Sequence, residues 1–164
     1  MKQTGSAVLN TENFASGAVH GNSAQLVVDR FKSFYQCLNR DTLDTGELEK
    51  LYGEDLVFED SFHRIEGRNE FKAYCRNLYE NVQHIQFVFH DEWVKDRSAV
   101  LTWTMTFSHP RLKGGKPVQV SGASEIRFTD KVTHHRDYFD GGALLYEHIP
   151  LLGSVVQQLK KRLS

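Results

Sequence analysis

The chain contains only two cysteines among its 164 residues. Cys37 and Cys75 both fall in helical patterns and lack the close spacing of a metal site, so we expect reduced thiols packed within helices. Reduced thiols of this kind favour a cytoplasmic location.

The sequence also lacks an excess of charge and a long apolar run. Twenty basic residues against twenty-one acidic ones leave a formal net charge of −1, which gives no support for a nucleic-acid partner. No apolar run approaches the roughly 18 residues of a membrane span, and the first residues lack the apolar core of a signal peptide. We therefore expect a soluble protein that is not exported, and its length suits one domain.

Helical patterns dominate the first half of the chain. Residues 1–22 are small and polar and predict a flexible arm, which leaves one domain over residues 23–164. Ser23 is the expected N-cap of the first helix. The expected helices cover residues 23–40, 43–52 and 67–82, and a short strand is expected over residues 56–60. The apolar side of the third helix consists of Phe71, Tyr74, Cys75, Leu78 and Tyr79.

The second half changes to the alternating pattern of β-strands. Four such strands follow one another, at residues 85–89, 99–107, 118–128 and 134–139, which predicts an antiparallel sheet. Leucines and valines over residues 151–163 then line one side of a closing helix. Helices grouped before strands indicate an α+β domain, in which N-terminal helices cover one face of a curved antiparallel sheet.

The last strand carries the most informative run of residues, HHRDYFDGG at 134–142. Side chains alternate across a strand, so His135, Asp137 and Phe139 share one face. If that face points inward, an acid and a base meet inside an apolar shell. This pattern predicts a pocket in which protons are transferred, and burial is expected to raise the pKa of the carboxyl groups toward neutrality.

Other side chains are candidates for the wall and rim of the same pocket. Trp103, Met105 and Phe107 form an apolar row that would shape either a pocket wall or plain core. His63 and His109 lie near strand ends, where they would face the pocket mouth or solvent. Asp60 has two readings, a second catalytic carboxylate or a cap on the following turn through its backbone amides.

A metal site is not expected. His63, His109, His135 and Asp137 are suitable ligand types, but the sequence places them at none of the helical or short-loop spacings that metal sites use.

The order of elements, together with LVFEDSFHRIEGR at residues 56–68 and RDYFD at 136–140, resembles the nuclear transport factor 2-like superfamily. This superfamily includes ketosteroid isomerase, SnoaL-like polyketide cyclases and limonene-1,2-epoxide hydrolase. The similarity covers residues 24–153. It implies a cone-shaped α+β fold with a deep, mostly apolar cavity, and commonly a homodimer formed through the sheet.

Only some catalytic residues of these enzymes have a match in this chain. Asp60 stands where ketosteroid isomerase has its general base, whereas Phe34 and Ser124 stand where its oxyanion-binding tyrosine and aspartic acid are expected. Asp137 falls on one of the two catalytic aspartates of limonene-1,2-epoxide hydrolase. The long strand at residues 98–107 lacks that enzyme's arginine and second aspartate, and Phe58 and Asp60 replace its tyrosine and asparagine.

These observations predict a cofactor-independent isomerase, cyclase or hydrolase that acts on a small hydrophobic molecule. Asp137 would be the acid or base, His135 would tune or relay its proton, and Asp60 would be the second carboxylate. The residues expected to contact the substrate are Tyr35, Phe58, His63, Trp103, Met105, Ser124 and Phe139. The alternative is a non-catalytic domain that binds a small ligand or a partner protein.

Two surfaces suggest contacts outside the pocket. His134, Arg136 and Tyr138 lie on the opposite face of the last strand, which would either pack against a second subunit in a homodimer or face solvent. The closing helix is expected to act as a lid or dimer element, with contact to a membrane surface as the alternative.

Overall fold

The computed structural model describes residues 12–80, 82–144 and 162. Three helices precede most of the sheet: α1 (Glu12–Cys37), α2 (Glu47–Leu51) and α3 (Arg68–Tyr79). The strands are β1 (Tyr52–Glu59), β2 (Arg64–Glu66), β3 (His84–Lys95), β4 (Ser98–Ser108), β5 (Val118–Phe128) and β6 (Val132–Phe139). A short helix, α4 (Gly141–Leu144), follows the last strand. The predicted α+β class is confirmed.

The strands form one six-stranded mixed sheet in the order β2-β1-β6-β5-β4-β3. The predicted antiparallel order holds for β3 to β6, because each strand pairs with the next one along the chain. The prediction of a wholly antiparallel sheet is wrong, since β1 lies parallel to β6. Parallel neighbours need a long connection, and here α3 and the four strands β2 to β5 supply it. As a result β6 lies inside the sheet, between β1 and β5.

The first helix begins earlier than the sequence pattern suggested. It starts at Glu12, so Ser23 lies within α1 and is not its N-cap. It ends at Cys37 rather than near residue 40, because Oδ1 of Asn39 accepts hydrogen bonds from the amides of Asp41 and Thr42 and turns the chain. Residues 1–11 of the predicted arm, and the predicted closing helix apart from residue 162, lie outside the described residues.

The second helix is shorter than expected and the first strand is longer. Gly46 precedes α2 with a φ of 86°, a left-handed conformation that glycine adopts without strain. The helix then ends at Leu51, and Tyr52 already belongs to β1. Tyr52 therefore lies on a strand that neighbours β6, which brings it into the candidate site.

The core lies between the helices and one face of the sheet. Its fully buried members include Val28, Phe31, Leu48, Leu51, Leu56, Leu101, Ile126 and Val132. Burial of each large apolar side chain contributes about 1.5–3 kcal/mol. No helix among the described residues is both long and apolar enough to cross a membrane.

Candidate functional site

A pocket of about 510 Å³ opens between α3 and the strands β3, β4 and β6. Its wall is mainly aromatic: Tyr35, Phe58, Phe71, Tyr74, Tyr79, Phe87, Trp103, Phe107 and Phe139. Leu78, Ile85 and Met105 add aliphatic surface. A wall of this composition suits a small hydrophobic molecule, and the few polar groups within it decide what such a molecule must offer.

Asp137 is the polar group that β6 contributes to this wall, with 18% of its side chain exposed. Its Oδ1 accepts a hydrogen bond from Ser124 Oγ at 2.5 Å and lies 2.8 Å from Nε2 of His135. Trp103 in turn donates from Nε1 to Ser124 Oγ at 2.9 Å. Among the described residues both contacts go to Oδ1, so Oδ2 keeps its capacity to accept a hydrogen bond from a molecule in the pocket.

His135 lies behind Asp137 and is 1% exposed. Its Nδ1 is 3.0 Å from the Tyr52 hydroxyl, which lies 2.8 Å from the hydroxyl of Tyr35. The rings of Phe31 and Phe58 pack against the imidazole in edge-on contacts, with centroids 5.0 and 5.1 Å away. The imidazole is therefore enclosed by aromatic rings and hydrogen-bonded at both nitrogens.

One proton arrangement satisfies this chain of groups with a neutral imidazole. With Asp137 as a carboxylate, Nε2 of His135 carries the proton and donates it to Oδ1. Nδ1 then accepts from Tyr52, whose oxygen accepts from Tyr35. We assign this tautomer from the hydrogen-bond network.

Burial keeps the acidic groups around Asp137 protonated. Desolvation raises the pKa of Tyr35 and of Tyr52 well above the ordinary value, and the negative charge of Asp137 adds to the effect. Desolvation followed by the charge of Asp137 raises the pKa of the Cys75 thiol to about 12. These groups are hydrogen-bond donors at neutral pH, and Cys75 is not an activated nucleophile.

Asp60 uses its oxygens to hold the turn that follows β1. Oδ1 accepts from the amides of Phe62 and His63 at 2.7 and 2.6 Å, and the Tyr74 hydroxyl donates to Oδ2 at 2.8 Å. The His63 imidazole lies 3.2 Å from Oδ1. The structure shows the capping arrangement predicted for Asp60 and also places this residue along the pocket, so its role as a second catalytic carboxylate stays a prediction.

A family model for the SnoaL-like domain matches residues 31–135, which is more than half of the chain. The chain belongs to the SnoaL-like domain family. This confirms the resemblance noted in the sequence. Among proteins of curated function, none matches the chain significantly.

Solved structures share the fold of this SnoaL-like domain at low sequence identity. A putative SnoaL-like polyketide cyclase from Jannaschia sp. CCS1 is 18% identical, with a TM-score of 0.62 over 76% of this chain and 90% of that one. A limonene-epoxide-hydrolase-like enzyme from M. tuberculosis is 21% identical, with a TM-score of 0.62 over 84% and 97%. An NTF2-like protein of unknown function from Burkholderia pseudomallei K96243 is 15% identical, with a TM-score of 0.64 over 78% and 98%.

Most side chains predicted to contact a substrate line the pocket of the SnoaL-like domain. They are Tyr35, Phe58, His63, Trp103, Met105 and Phe139. Ser124 is different: it is 3% exposed, donates to Asp137 from behind and is not among the residues that line the pocket. His135 is likewise sealed behind the wall and can act only through Asp137.

The rim of the pocket carries the remaining polar groups. His63, His109 and Arg111 line it, and the amide of Arg111 donates to Nδ1 of His109 at 3.1 Å. His63 is half exposed, with 51% of its side chain accessible. Within the described part of the chain, no group of three or more potential ligands is arranged to hold a metal ion.

Sequence reasoning missed the role of Tyr52 and of the third helix. Tyr52 was expected at a helix end, although its even spacing from Leu56 and Phe58 is the pattern of a strand face. The apolar side of α3 was recognised, but no contact with the pocket was predicted for it. The residues of this side line the pocket: Phe71, Tyr74, Cys75, Leu78 and Tyr79.

Proposed function

We propose that this SnoaL-like domain binds a small hydrophobic molecule in its pocket and acts on it by acid/base catalysis without a cofactor. Asp137 is the group that exchanges a proton with the substrate. The observation that carries this proposal is the asymmetry of its carboxylate. Oδ1 is held by Ser124 and His135, and Oδ2 is left to the apolar pocket.

The surrounding groups support Asp137 in different ways. Ser124 and His135 fix the orientation of the carboxylate, which lowers the entropy cost of aligning it with a reacting group. Asp60 positions the turn that carries His63 at the rim. We therefore assign proton transfer to Asp137 alone, and positioning to the other three.

The proposed step moves one proton. Oδ2 accepts a proton from a substrate C–H or O–H bond, or from a water molecule that attacks the substrate, and later returns it. Isomerisation, cyclisation and addition of water all begin in this way. Two relatives named as a polyketide cyclase and an epoxide hydrolase agree with chemistry of this kind.

Isotope incorporation tests the proposal and separates the reaction types. Purified protein is incubated with small alicyclic epoxides and enolisable ketones in deuterated water and in ¹⁸O-water, and products are analysed by mass spectrometry. Incorporated ¹⁸O identifies hydrolysis, and deuterium on carbon identifies isomerisation through a carbanion. Asp137→Asn is expected to lower turnover by at least about a hundredfold.

The matched control is Asp130→Asn, which changes an exposed carboxylate in the turn between β5 and β6. This variant is expected to turn over at the wild-type rate. Wild-type turnover by Asp137→Asn would remove the central residue of the proposal.

A non-catalytic ligand-binding domain is the second candidate. It is favoured by β4, which supplies neither a second carboxylate nor an arginine to the pocket. A ligand retained through gentle purification, and held equally well by Asp137→Asn, would support binding without catalysis.

We also propose that the outer face of the sheet forms a homodimer. Several large apolar side chains are exposed on this face: Val88, Trp93, Val100 and Tyr138. Trp93 is 59% accessible. Sedimentation should show a dimer that Trp93→Glu weakens. If wild-type protein is monomeric at about 50 μM, its self-association is too weak for a stable interface of standard size, and the proposed dimer is contradicted.

A further inference from the structure

The tyrosines around the pocket use their hydroxyl groups differently. Those of Tyr35, Tyr52 and Tyr74 bond to Tyr52, His135 and Asp60, respectively. Tyr79 also lines the pocket and is only 4% exposed, yet its hydroxyl has no hydrogen-bond partner among the described residues. Among the described residues, the fully enclosed side-chain atoms without a partner are Glu49 Oε2 and Arg68 Nε. The Tyr79 hydroxyl is not one of them, so it keeps access to solvent and can take water or a ligand as its partner.

Tyr79 lies on the side of α3 that faces the pocket. Tyr79 lies in the last turn of α3, one turn after Cys75 and two turns after Phe71, so the three share one helix face. Helical side chains lean toward the N-terminus of their helix, which brings the Tyr79 ring over the turn that carries Cys75.

The Tyr79 hydroxyl stays protonated in this position. Burial raises its pKa well above the ordinary value, and the negative charge of Asp137 raises it further. Apart from the polar side chains at the rim, the pocket therefore presents a donor on Tyr79 and an acceptor at Oδ2 of Asp137.

The charge of the pocket restricts what the Tyr79 donor can bind. Among the described residues no lysine or arginine forms an ion pair with Asp137, whose partners are Ser124 and the neutral imidazole of His135. Arg111 lines the pocket only at its rim. An anionic ligand would be repelled by this carboxylate. A neutral oxygen is the matching acceptor for the phenol.

We infer that the Tyr79 hydroxyl is the hydrogen-bond donor that the inner wall of the pocket offers to its ligand, and that the ligand is an apolar molecule with a neutral carbonyl, ether or hydroxyl oxygen. This inference rests on the proposed function insofar as the pocket binds a small molecule. Tyr79 is then a specificity-determining residue, which favours the binding of oxygenated molecules over that of plain hydrocarbons.

Calorimetric titration with two rigid probes of one shape tests the inference. 2-Adamantanone can only accept a hydrogen bond, whereas 1-adamantylammonium can only donate. Tyr79→Phe is expected to weaken binding of the ketone by about fivefold to tenfold, the effect of one neutral hydrogen bond, and to leave the ammonium within about twofold. Asp137→Asn is expected to weaken binding of the ammonium far more than binding of the ketone.

Thermal unfolding of the ligand-free protein supplies the matched control. Tyr74→Phe removes a hydrogen bond to Asp60 and should lower the melting temperature, whereas Tyr79→Phe removes a group without a partner and should not. The inference would be overturned if Tyr79→Phe bound the ketone as tightly as wild type. It would also be overturned if Tyr79→Phe lost as much stability as Tyr74→Phe. Either result would leave the catalytic role of Asp137 intact. If neither probe binds wild-type protein, the inference and the proposed pocket fail together.

Discussion

Nε2 of His135 lies 2.8 Å from Oδ1 of Asp137, and of these two side chains only the carboxylate borders the pocket. The imidazole is 1% exposed and is enclosed by aromatic rings. A histidine in this position cannot reach a substrate, but it can fix the carboxylate and stabilise its charge.

Removing the Tyr52 hydroxyl tests the buried end of the network. Tyr52→Phe leaves Nδ1 of His135 without its partner at 3.0 Å, so we expect a loss of about 1–2 kcal/mol in the free energy of unfolding. Urea denaturation measures it. Tyr35, whose hydroxyl is 3.4 Å from the same nitrogen, can replace part of the bond, so Tyr35→Phe combined with Tyr52→Phe should cost more than the sum of the single changes.

The control for Tyr52→Phe is Tyr138→Phe, because Tyr138 is 47% exposed on the outer face of the same sheet. Its effect should stay within about 0.5 kcal/mol. Equal losses in the two variants would show that the buried network adds nothing to stability.

Gly122 leaves the space that the Trp103 ring occupies. A Cβ atom at this position would lie 2.5 Å from Cη2 of Trp103 and 2.7 Å from the carbonyl oxygen of Tyr138. Gly122→Ala should therefore displace the indole from Ser124 and cost about 1–3 kcal/mol in urea denaturation. Ser121→Ala, at an exposed neighbouring position, should have little effect. Identical unfolding midpoints for the two variants would contradict this packing.

Asp60 should matter for the turn rather than for proton transfer. Asp60→Ala removes the acceptor for two backbone amides and should cost about 1–3 kcal/mol in the free energy of unfolding. Asp60→Asn keeps one acceptor oxygen, so it should be less destabilised and retain most of the turnover. A stable Asp60→Asn protein without turnover would mean that this carboxylate acts on the substrate.

The two thiols should react at very different rates. Cys75 is buried with a pKa raised to about 12, whereas Cys37 is exposed. At pH 8 the thiolate fraction of Cys75 is on the order of one in ten thousand. A disulfide reagent should therefore titrate one thiol in the native protein and two after denaturation, and Cys37→Ser should remove the native reaction. Rapid labelling of native Cys37→Ser would show that Cys75 is accessible.

The elements that local periodicity determines were predictable from the sequence. The alternation in residues 85–128 and the short turns between strands predict an antiparallel arrangement, and β3 to β5 have it. The parallel contact between β1 and β6 was not predictable, because it joins residues about eighty positions apart and leaves no local pattern.

The sequence predicted which residues of β6 belong to the candidate site, but not how deeply each of them is buried. Alternation along β6 places His135 and Asp137 on one face, and both do point away from His134 and Arg136. Which of the two reaches the pocket depends on Phe31 and Phe58, which close around the imidazole from other elements. Periodicity likewise identifies Tyr79 on the apolar side of α3 but cannot show that its hydroxyl lacks a partner.

The most direct test compares turnover of two variants, Asp137→Asn and His135→Gln. A glutamine at 135 can still donate to Asp137 and accept from Tyr52, so we predict that it retains measurable turnover, whereas Asp137→Asn loses at least about a hundredfold. The opposite order, with Asp137→Asn active and His135→Gln inactive, would contradict the assignment of Asp137 as the proton-transferring group.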